Sequence, residues 1–426
     1  VTLALLSALK ESGLCPVSFK CGPDYIDTMF HRAVTGIPSY NLDPFFQDGE
    51  GLIHNLGKYG GSLNIIEGAM GYYDGLSTTD ECSAYTVALD TRTPVILVIN
   101  AKGAGASLGA VIEGFTKHKK DSNIVGVIFN EASESRRTDL EHIAQKADCV
   151  FLGLLPRKGE WVLPGRHLGL LTVGEIENLK CKLLDLGMEA AKSINLKALI
   201  DIAGSAPDIS FTPNIKKRSG NIARLAVARD KAFCFMYAEN IGLLKALGCE
   251  IVFFSPLYDT HLPEGIDGLY LGGGYAEIYD RELSDNVSMR ESIRMRVLNG
   301  LPLLAEGGGF LYLHDELNGL NMCGVIEAKA YETKRLQRFG YITLTANEDN
   351  LLCKTGESLR AHEFHYWESE NPGAGFMAKK AGRDISYNCV HASESMYAGF
   401  PQIYFPGNIH CAYNFVNKMS EGRRNL

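Results

Sequence analysis

Val17-Ser18-Phe19-Lys20-Cys21-Gly22-Pro23-Asp24-Tyr25-Ile26-Asp27 is the stretch on which the fold turns. A short apolar run ends in a lysine, and a Gly-Pro turn carrying two acids follows at once, an arrangement suited to a metal-phosphate complex at a strand tip. Downstream, similar apolar runs at residues 63–66, 95–99, 124–129 and 150–155 are separated by helix-like or Gly-rich stretches. Runs of this kind, buried on both faces, indicate a parallel sheet covered by helices. In such sheets ligands sit beyond the carboxyl ends of the strands. Lys20 to Asp24, Glu67-Gly68, Asn100-Ala101-Lys102-Gly103, Asn130-Glu131 and Pro156-Arg157 all fall there. Upstream, the chain opens with Val1 inside an apolar helix-like pattern closed by Gly13.

At 426 residues the chain suggests two domains of roughly 200 residues each. The pattern lapses into Ser, Pro, Lys and Asn between about residues 204 and 224, which reads as the connection between them. Beyond it a second alternation begins, with strands at 225–228, 251–254, 269–271 and 303–305 and helices at 240–247 and 283–298. The expected architecture is therefore α/β in both halves, over residues 1–205 and 222–426.

Composition narrows the function. With 46% hydrophobic and 22% charged residues, the chain has the makeup of a folded globular protein. A net charge of -8 argues against a nucleic-acid partner, because phosphate binding needs clustered Lys and Arg, and the one basic run, Lys216-Lys217-Arg218, is short. No stretch reaches the roughly 18 continuous apolar residues of a membrane span, and no signal-peptide pattern opens the chain, so a cytoplasmic location is expected. The eleven cysteines are scattered with no C-x-x-C pair, which fits reduced thiols and neither a zinc site nor a disulfide framework.

Several motifs occur in a family's order: Lys20 to Asp27 (KCGPDYID), Asn41 to Pro44 (NLDP), residues 67–75 (EGAMGYYDG) and 155–169 (LPRKGEWVLPGRHLG). In them the chain resembles the cobyrinic acid a,c-diamide synthases over nearly its whole length. The resemblance implies a dethiobiotin-synthetase-like, P-loop-NTPase-like ligase domain that activates a carboxylate as an acyl phosphate, which ammonia displaces. It implies ATP and Mg²⁺ as cofactors, with Asp24 and Glu67 on the metal and Lys20 on the nucleotide. Asp27 and Asp74 would shape the phosphorylation site as catalytic residues, and Asn130 would contact adenine. Phosphoryl transfer rests on positioning and on neutralising developing charge, which such residues supply. Family members begin with a strand and a G-x-x-x-x-G-K-[ST] loop, whereas Val1-Thr2-Leu3 stands in the helix that loop would introduce. Truncation is the expected explanation, since a sheet without a central strand keeps unpaired edges, and the alternative is a native loss of ATP binding. The chain as it stands is expected to have little ATPase activity.

In the second half, Asp267 to Glu277 (DGLYLGGGYAE), residues 303–310 (LLAEGGGF) and Gly407-Asn408-Ile409-His410 resemble the class I glutamine amidotransferase domain of the same ligases. The resemblance implies an oxyanion hole at Gly273 and Gly308 and a nucleophile elbow after Ala305-Glu306. At the elbow the family reads Ala-Glu-Cys-Gly-Gly, and this chain has Gly307 where the cysteine stands. Aligning the family's terminal Ser-Tyr-Leu-His-x-His on Tyr413 puts Phe415 at the base position and Asn417 at the second histidine. Glutamine hydrolysis is not expected, since loss of a covalent nucleophile costs on the order of a million-fold in turnover. Cys411 reads as a buried thiol and His410 as structural. His362, Glu363 and His365 lack the i, i+4 histidine spacing of a helical zinc motif and read as substrate-contacting or structural.

The expected activity is amidation of the a and c carboxylates of a corrinoid, with glutamine or, more in keeping with Gly307, free ammonia as donor. Nickel sirohydrochlorin or hydrogenobyrinic acid would use the same chemistry. A non-catalytic tetrapyrrole-binding or scaffold protein descended from the ligase is the competing expectation. The resemblance also allows a homodimer.

Overall fold

The computed structural model describes residues 1–163, 176–209, 211 and 222–424, with backbone alone for 165–166, 169–170 and 422–424. The 166–169 motif, the basic run at 216–218 and most of the 204–224 connection lie outside the residues described in full. The chain forms two compact units, Val1–Thr212 and Pro213–Leu426. No helix among the described residues is long and apolar enough to cross a membrane.

The first unit runs α1 (Thr2–Glu11), β1 (Val17–Cys21), α2 (Ile26–Thr35), β2 (Tyr40–Leu42), α3 (Gly49–Tyr59), β3 (Asn64–Glu67), α4 (Ala84–Thr91), β4 (Val95–Asn100), α5 (Ser107–His118), β5 (Ile124–Asn130), α6 (Arg137–Lys146), β6 (Val150–Leu155), β7 (Gly165–Arg166), β8 (Gly169–Leu170), α7 (Leu179–Ser193) and α8 (Leu196–Ala203). Its strands form two parallel three-stranded sheets, ordered β2-β1-β3 and β4-β5-β6, and an antiparallel pair, β7-β8. β1 is buried along its whole length, as expected of an apolar run between two partners. β3 and β4 depart from that expectation: β3 is half-buried throughout and Val98 on β4 is 47% exposed, because each is the edge of its sheet. α1 covers both edges, since Ala4, Leu5, Ala8 and Leu9 share one apolar cluster with Ile65 of β3, Ile96 of β4 and Ile128 of β5. On its other side α1 meets α7 at Gly187, where an added Cβ would lie 2.3 Å from the Ser7 hydroxyl.

The second unit opens with β9 (Ala223–Ala228), α9 (Ala238–Ala246), β10 (Cys249–Phe254), β11 (Gly268–Leu271), α10 (Asp280–Asp285), α11 (Val287–Leu298), β12 (Leu303–Glu306) and α12 (Gly308–Tyr312). Shorter strands follow: β13 (His314–Leu317), β14 (Leu320–Asn321), β15 (Ile326–Glu332), β16 (Arg338–Ala346), β17 (Ser358–His365), β18 (Trp367–Ser369), β19 (Phe376–Lys380), β20 (Ser386–Cys389), β21 (His391–Ser393), β22 (Met396–Gly399) and β23 (Gln402–Ile403). The closing helix is α13 (Ile409–Arg424). The main sheet is ordered β10-β9-β11-β12-β22-β21, parallel except for β21 at one edge. Alternate residues of each central strand feed two cores: Leu225, Val227, Tyr270 and Leu304 enter one, and Ala226, Leu269, Leu271 and Leu303 the other. An antiparallel sheet, β20-β19-β16-β17-β23, closes the first of these cores through Ile342, Leu344, Leu359 and Ala361.

Candidate active site

Strand register assembles the first constellation. In the β2-β1-β3 sheet Lys20 pairs across to Asn41 on one side and to Glu67 on the other, so all three stand at one level near the carboxyl ends. The chain then turns at Gly22, whose φ of 79° suits glycine. Asn41 ties that turn down, its amide donating to the carbonyls of Gly22 at 2.8 Å and Asp24 at 2.9 Å. α2 starts immediately beyond, because the Oδ1 of Asp24 accepts from the amides of Ile26 and Asp27, both at 2.9 Å.

Buried Lys20 is the hub. Its Nζ lies 2.7 Å from the Asp27 carboxylate, 3.9 Å from that of Glu67 and 3.2 Å from the carbonyl of Gly68. Burial disfavours the ammonium, but Glu67, Asp27 and Asp24 outweigh that and hold its pKa above the ordinary lysine value. Glu67 also meets His31 of α2, Nε2 to Oε2 at 2.6 Å. Burial would raise the Glu67 pKa, yet the His31 hydrogen bond and Lys20 bring it down to about 2. Asp24 goes the other way, its pKa raised by burial and then by neighbouring Asp27.

Sequence reasoning missed His31. The available signal was its place four residues after Asp27 on one helix, the spacing that puts two side chains on the same face. A second ring bond, Nδ1 to Ser39 at 3.2 Å, fixes the imidazole, and Ser39 in turn donates to the carbonyl of Ser18. Asp24 and Glu67 offer the oxygen donors that Mg²⁺ prefers, and both capping bonds of Asp24 fall on one oxygen, so the donor set fits that ion.

Asp74 stands apart from this cluster among the described contacts. It is exposed, and its Oδ2 closes a local turn by accepting from the Gly71 amide at 2.8 Å. Asn130 ends β5 in the other sheet, level with Asn100 and Leu155. Its carbonyl accepts from the Ala101 amide at 2.8 Å, and the Ala101 carbonyl accepts from Arg136, also at 2.8 Å. Beside these strand ends a groove of about 950 Å³ is lined by Gly103, Gly105, Arg136 and His142. Neither Asn130 nor any residue of the Lys20 cluster belongs to its lining, which includes Glu113 and Asp139.

The second constellation keeps its backbone. Gly307 links β12 to α12 at φ 51° and ψ -109°, a conformation that L side chains rarely adopt and that suits a sharp strand-to-helix elbow. Its amide donates to Gly399 at 3.0 Å, and that of Gly309 to Gly272 at 3.1 Å. Glu306 anchors the strand before the elbow. Fully buried, it accepts from the Tyr270 hydroxyl at 2.8 Å and the Ile403 amide at 2.7 Å, and burial pushes its pKa up to about 7. Gly273 and Gly308 flank the elbow: a Cβ on Gly307 would lie 3.7 Å from the Cα of Gly273, and one on Gly308 3.3 Å from the amide of Gly274.

The side chain set opposite Gly307 is Gln402, not Phe415. The Nε2 of Gln402 lies 3.1 Å from where a Gly307 Cβ would stand, and its buried Oε1 has no hydrogen-bond partner among the described residues. Phe415 is fully buried on α13 in an apolar cluster with Leu225, Val227 and Val416. This placement has a physical cause: β23 pairs with β17 and carries Gln402 to the elbow, whereas the apolar face of α13 turns Phe415 into the core. Nothing in the local pattern signalled Gln402.

On β17, His362 faces Tyr237 (3.4 Å) and Glu363 accepts from Tyr387, while His365 stacks on Phe400 at 3.8 Å between ring centroids. The three therefore go to separate partners. Burial lowers the His362 pKa to about 3 and that of His365 to about 4, and raises that of Glu363 to about 7.

One unit with a parallel sheet and a glycine-lined strand-to-helix elbow, and another with lysine and carboxylates at its strand tips, are the two halves of a ligase of amidotransferase type. Residues 224–393 match the family model described as "CobB/CobQ-like glutamine amidotransferase domain". Cobyrinate a,c-diamide synthase from Caldanaerobacter subterraneus is 38% identical over 90% of this chain and 87% of its own length. The Clostridium acetobutylicum protein of that name is 37% identical over 96% and 94%, and the Thermoplasma volcanium one 39% over 98% and 93%. This chain belongs to the cobyrinate a,c-diamide synthase family of carbon-nitrogen ligases.

Proposed function

We propose that this protein amidates the a and c acetate carboxylates of cobyrinic acid in an ATP-dependent reaction and takes free ammonia, not glutamine, as its nitrogen donor. Residues 1–205 are the ligase half of this reading and 222–426 the amidotransferase-like half. One observation carries the choice of donor: the elbow holds Gly307 where an attacking cysteine would stand, and the side chain facing it is the amide of Gln402. Neither can attack a glutamine carbonyl or take up a proton from a thiol.

The chain's own groups have these roles. Asp24 and Glu67 would hold Mg²⁺, whose contribution when bound would be to neutralise charge on the phosphates of ATP, the phosphoryl donor. Lys20, aimed by Asp27, meets the charge that develops on the transferring phosphoryl oxygens. His31 keeps Glu67 ionised and oriented. Asn130 is the residue assigned to adenine, and Asp74, though it stands apart from the Lys20 cluster, is assigned to the phosphorylation site through its motif. Ammonia then attacks the acyl phosphate at carbon and phosphate leaves. The amides of Gly273 and Gly308 remain as a nest without a nucleophile to serve.

The test supplies the full-length protein with cobyrinic acid, ATP and magnesium, and either ammonium chloride or glutamine, and follows product by mass spectrometry. Diamide should form with ammonium and not with glutamine. Comparable rates with both donors would overturn the reading, and tight corrinoid binding with no product from either would favour a binding protein.

A further inference from the structure

Three metal-ligating groups converge in the second unit away from both constellations. The Sγ atoms of Cys353 and Cys411 lie 3.7 Å apart, and His410 Nε2 is 3.2 Å from the latter and 4.0 Å from the former. All three atoms fall within 4.8 Å of one another. A tetrahedral zinc ion with bonds of about 2.3 Å to sulfur and about 2.0 Å to nitrogen sets its sulfurs about 3.8 Å apart and each sulfur about 3.5 Å from the nitrogen. The observed sulfur separation matches, and the two nitrogen distances bracket the ideal.

The backbone on either side is held in place. Asn350 Oδ1 accepts from the amides of Leu352 and Cys353, at 3.0 and 3.1 Å, which fixes the turn that presents Cys353. Asn414 of α13 donates to the carbonyl of Leu352 at 2.7 Å. Asn408, whose carbonyl accepts from the Cys411 amide, bonds the backbone of Arg360 on β17 through both ends of its side chain. Both cysteines are buried while His410 is exposed, so the cluster has one open side. Hydrogen bonds from Cys411 and His410 outweigh burial and bring the Cys353 thiol down to about 6, while Cys411 is pushed up.

We infer that Cys353, His410 and Cys411 form a zinc site that clasps the turn before β17 to the first turn of α13. On binding, the remaining thiol protons go to solvent, since a coordinating thiol is deprotonated outright. His410 ligates through Nε2 and keeps its proton on Nδ1. Two thiolates balance the 2+ charge, and the open side leaves the fourth position to water or a nearby carboxylate such as Glu357, whose charge already reaches all three groups.

The test titrates chelator-stripped full chain with Zn²⁺ against a chromophoric competitor, and with Co²⁺ for its thiolate charge-transfer absorption. One equivalent should bind tightly and raise the thermal midpoint. The Cys353→Ser/Cys411→Ser double variant should lose that equivalent and the absorption, and His410→Gln should weaken binding at least tenfold. His410 is exposed, so its variant folds even if the double variant does not. Unchanged stoichiometry in the double variant, undiminished affinity in His410→Gln, or a Cys353–Cys411 disulfide in place of metal uptake would overturn the site.

Discussion

Asp24 both caps α2 and contributes a charge, and one substitution separates the two. Asparagine retains the Oδ1 that receives the Ile26 and Asp27 amides, so Asp24→Asn should leave the unfolding free energy within about 1 kcal/mol of the parent. Without the negative charge, ammonia-dependent turnover should fall by about a hundredfold or more, and Glu67→Gln should do the same. Steady-state rates together with urea melts decide it, and unchanged turnover in both variants would remove these acids from the mechanism. A second residue-scale prediction concerns the elbow. Gly307→Cys alone should give no glutaminase, because Gln402 is no base, whereas Gly307→Cys with Gln402→His should release ammonia from glutamine measurably. A single variant as active as the double would show that the base is some other residue. Of these residues, Lys20, Asp24, Asp27 and Glu67 were legible because they stand in one contiguous motif and at the end of one apolar run. Gln402 was not, since it reaches Gly307 only through the pairing of β23 with β17. His410 and the two cysteines escaped for a similar reason, as Cys353 and Cys411 are 58 positions apart.

At the scale of elements, the elbow depends on how closely α12 approaches β11. A Cβ on Gly309 would come within 2.1 Å of the Leu271 carbonyl oxygen, a backbone atom that cannot swing aside. Gly309→Ala should therefore cost about 1–3 kcal/mol, in the range of overpacked cores, even though its backbone is ordinary helix. Gly307→Ala, whose nearest neighbour is the movable end of Gln402, should cost about 1–2 kcal/mol, and through its positive φ instead of a clash. Urea midpoints of the two variants check the order, and a smaller loss for Gly309→Ala would mean that helix and strand part easily. The parallel strands were readable because two-sided burial makes them continuous apolar runs. The shorter strands from β13 to β23, most of them paired antiparallel, were not, because one exposed face breaks their hydrophobicity into alternation, as in β15 with its buried and exposed residues taking turns. Likewise the run at 283–298 reads as one helix, but Asn286 ends α10 and caps α11 through the Met289 amide.

Across the whole molecule, burial has set several ionisable groups against water, and those of the second unit pull stability in opposite directions as pH changes. In the second unit burial lowers His362 to about 3 and both His314 and His365 to about 4. The unfolded chain takes up these protons first as pH falls below the ordinary histidine value, so three groups withdraw stability on acidification. Glu306 and Glu363, both raised to about 7 by burial, act in the opposite sense. Their contribution is complete below the ordinary glutamate value near 4.5 and is lost as pH rises through 7. Between about pH 4.5 and 6.5 the three histidines therefore make stability rise with pH while the two glutamates make it fall, each group by about 1.4 kcal/mol per unit. Replacing Glu306 by Gln keeps a group of the same shape between Tyr270 and Ile403 but removes its proton equilibrium. The variant should therefore gain on the parent as pH rises, by about 3 kcal/mol in all between pH 4.5 and 8. Urea unfolding of both proteins at half-unit pH steps measures that difference directly. A difference that stays flat across the range would mean that Glu306 ionises in the folded protein as easily as in the unfolded chain, which its bonds to one hydroxyl and one amide, with no cation among the described partners, argue against.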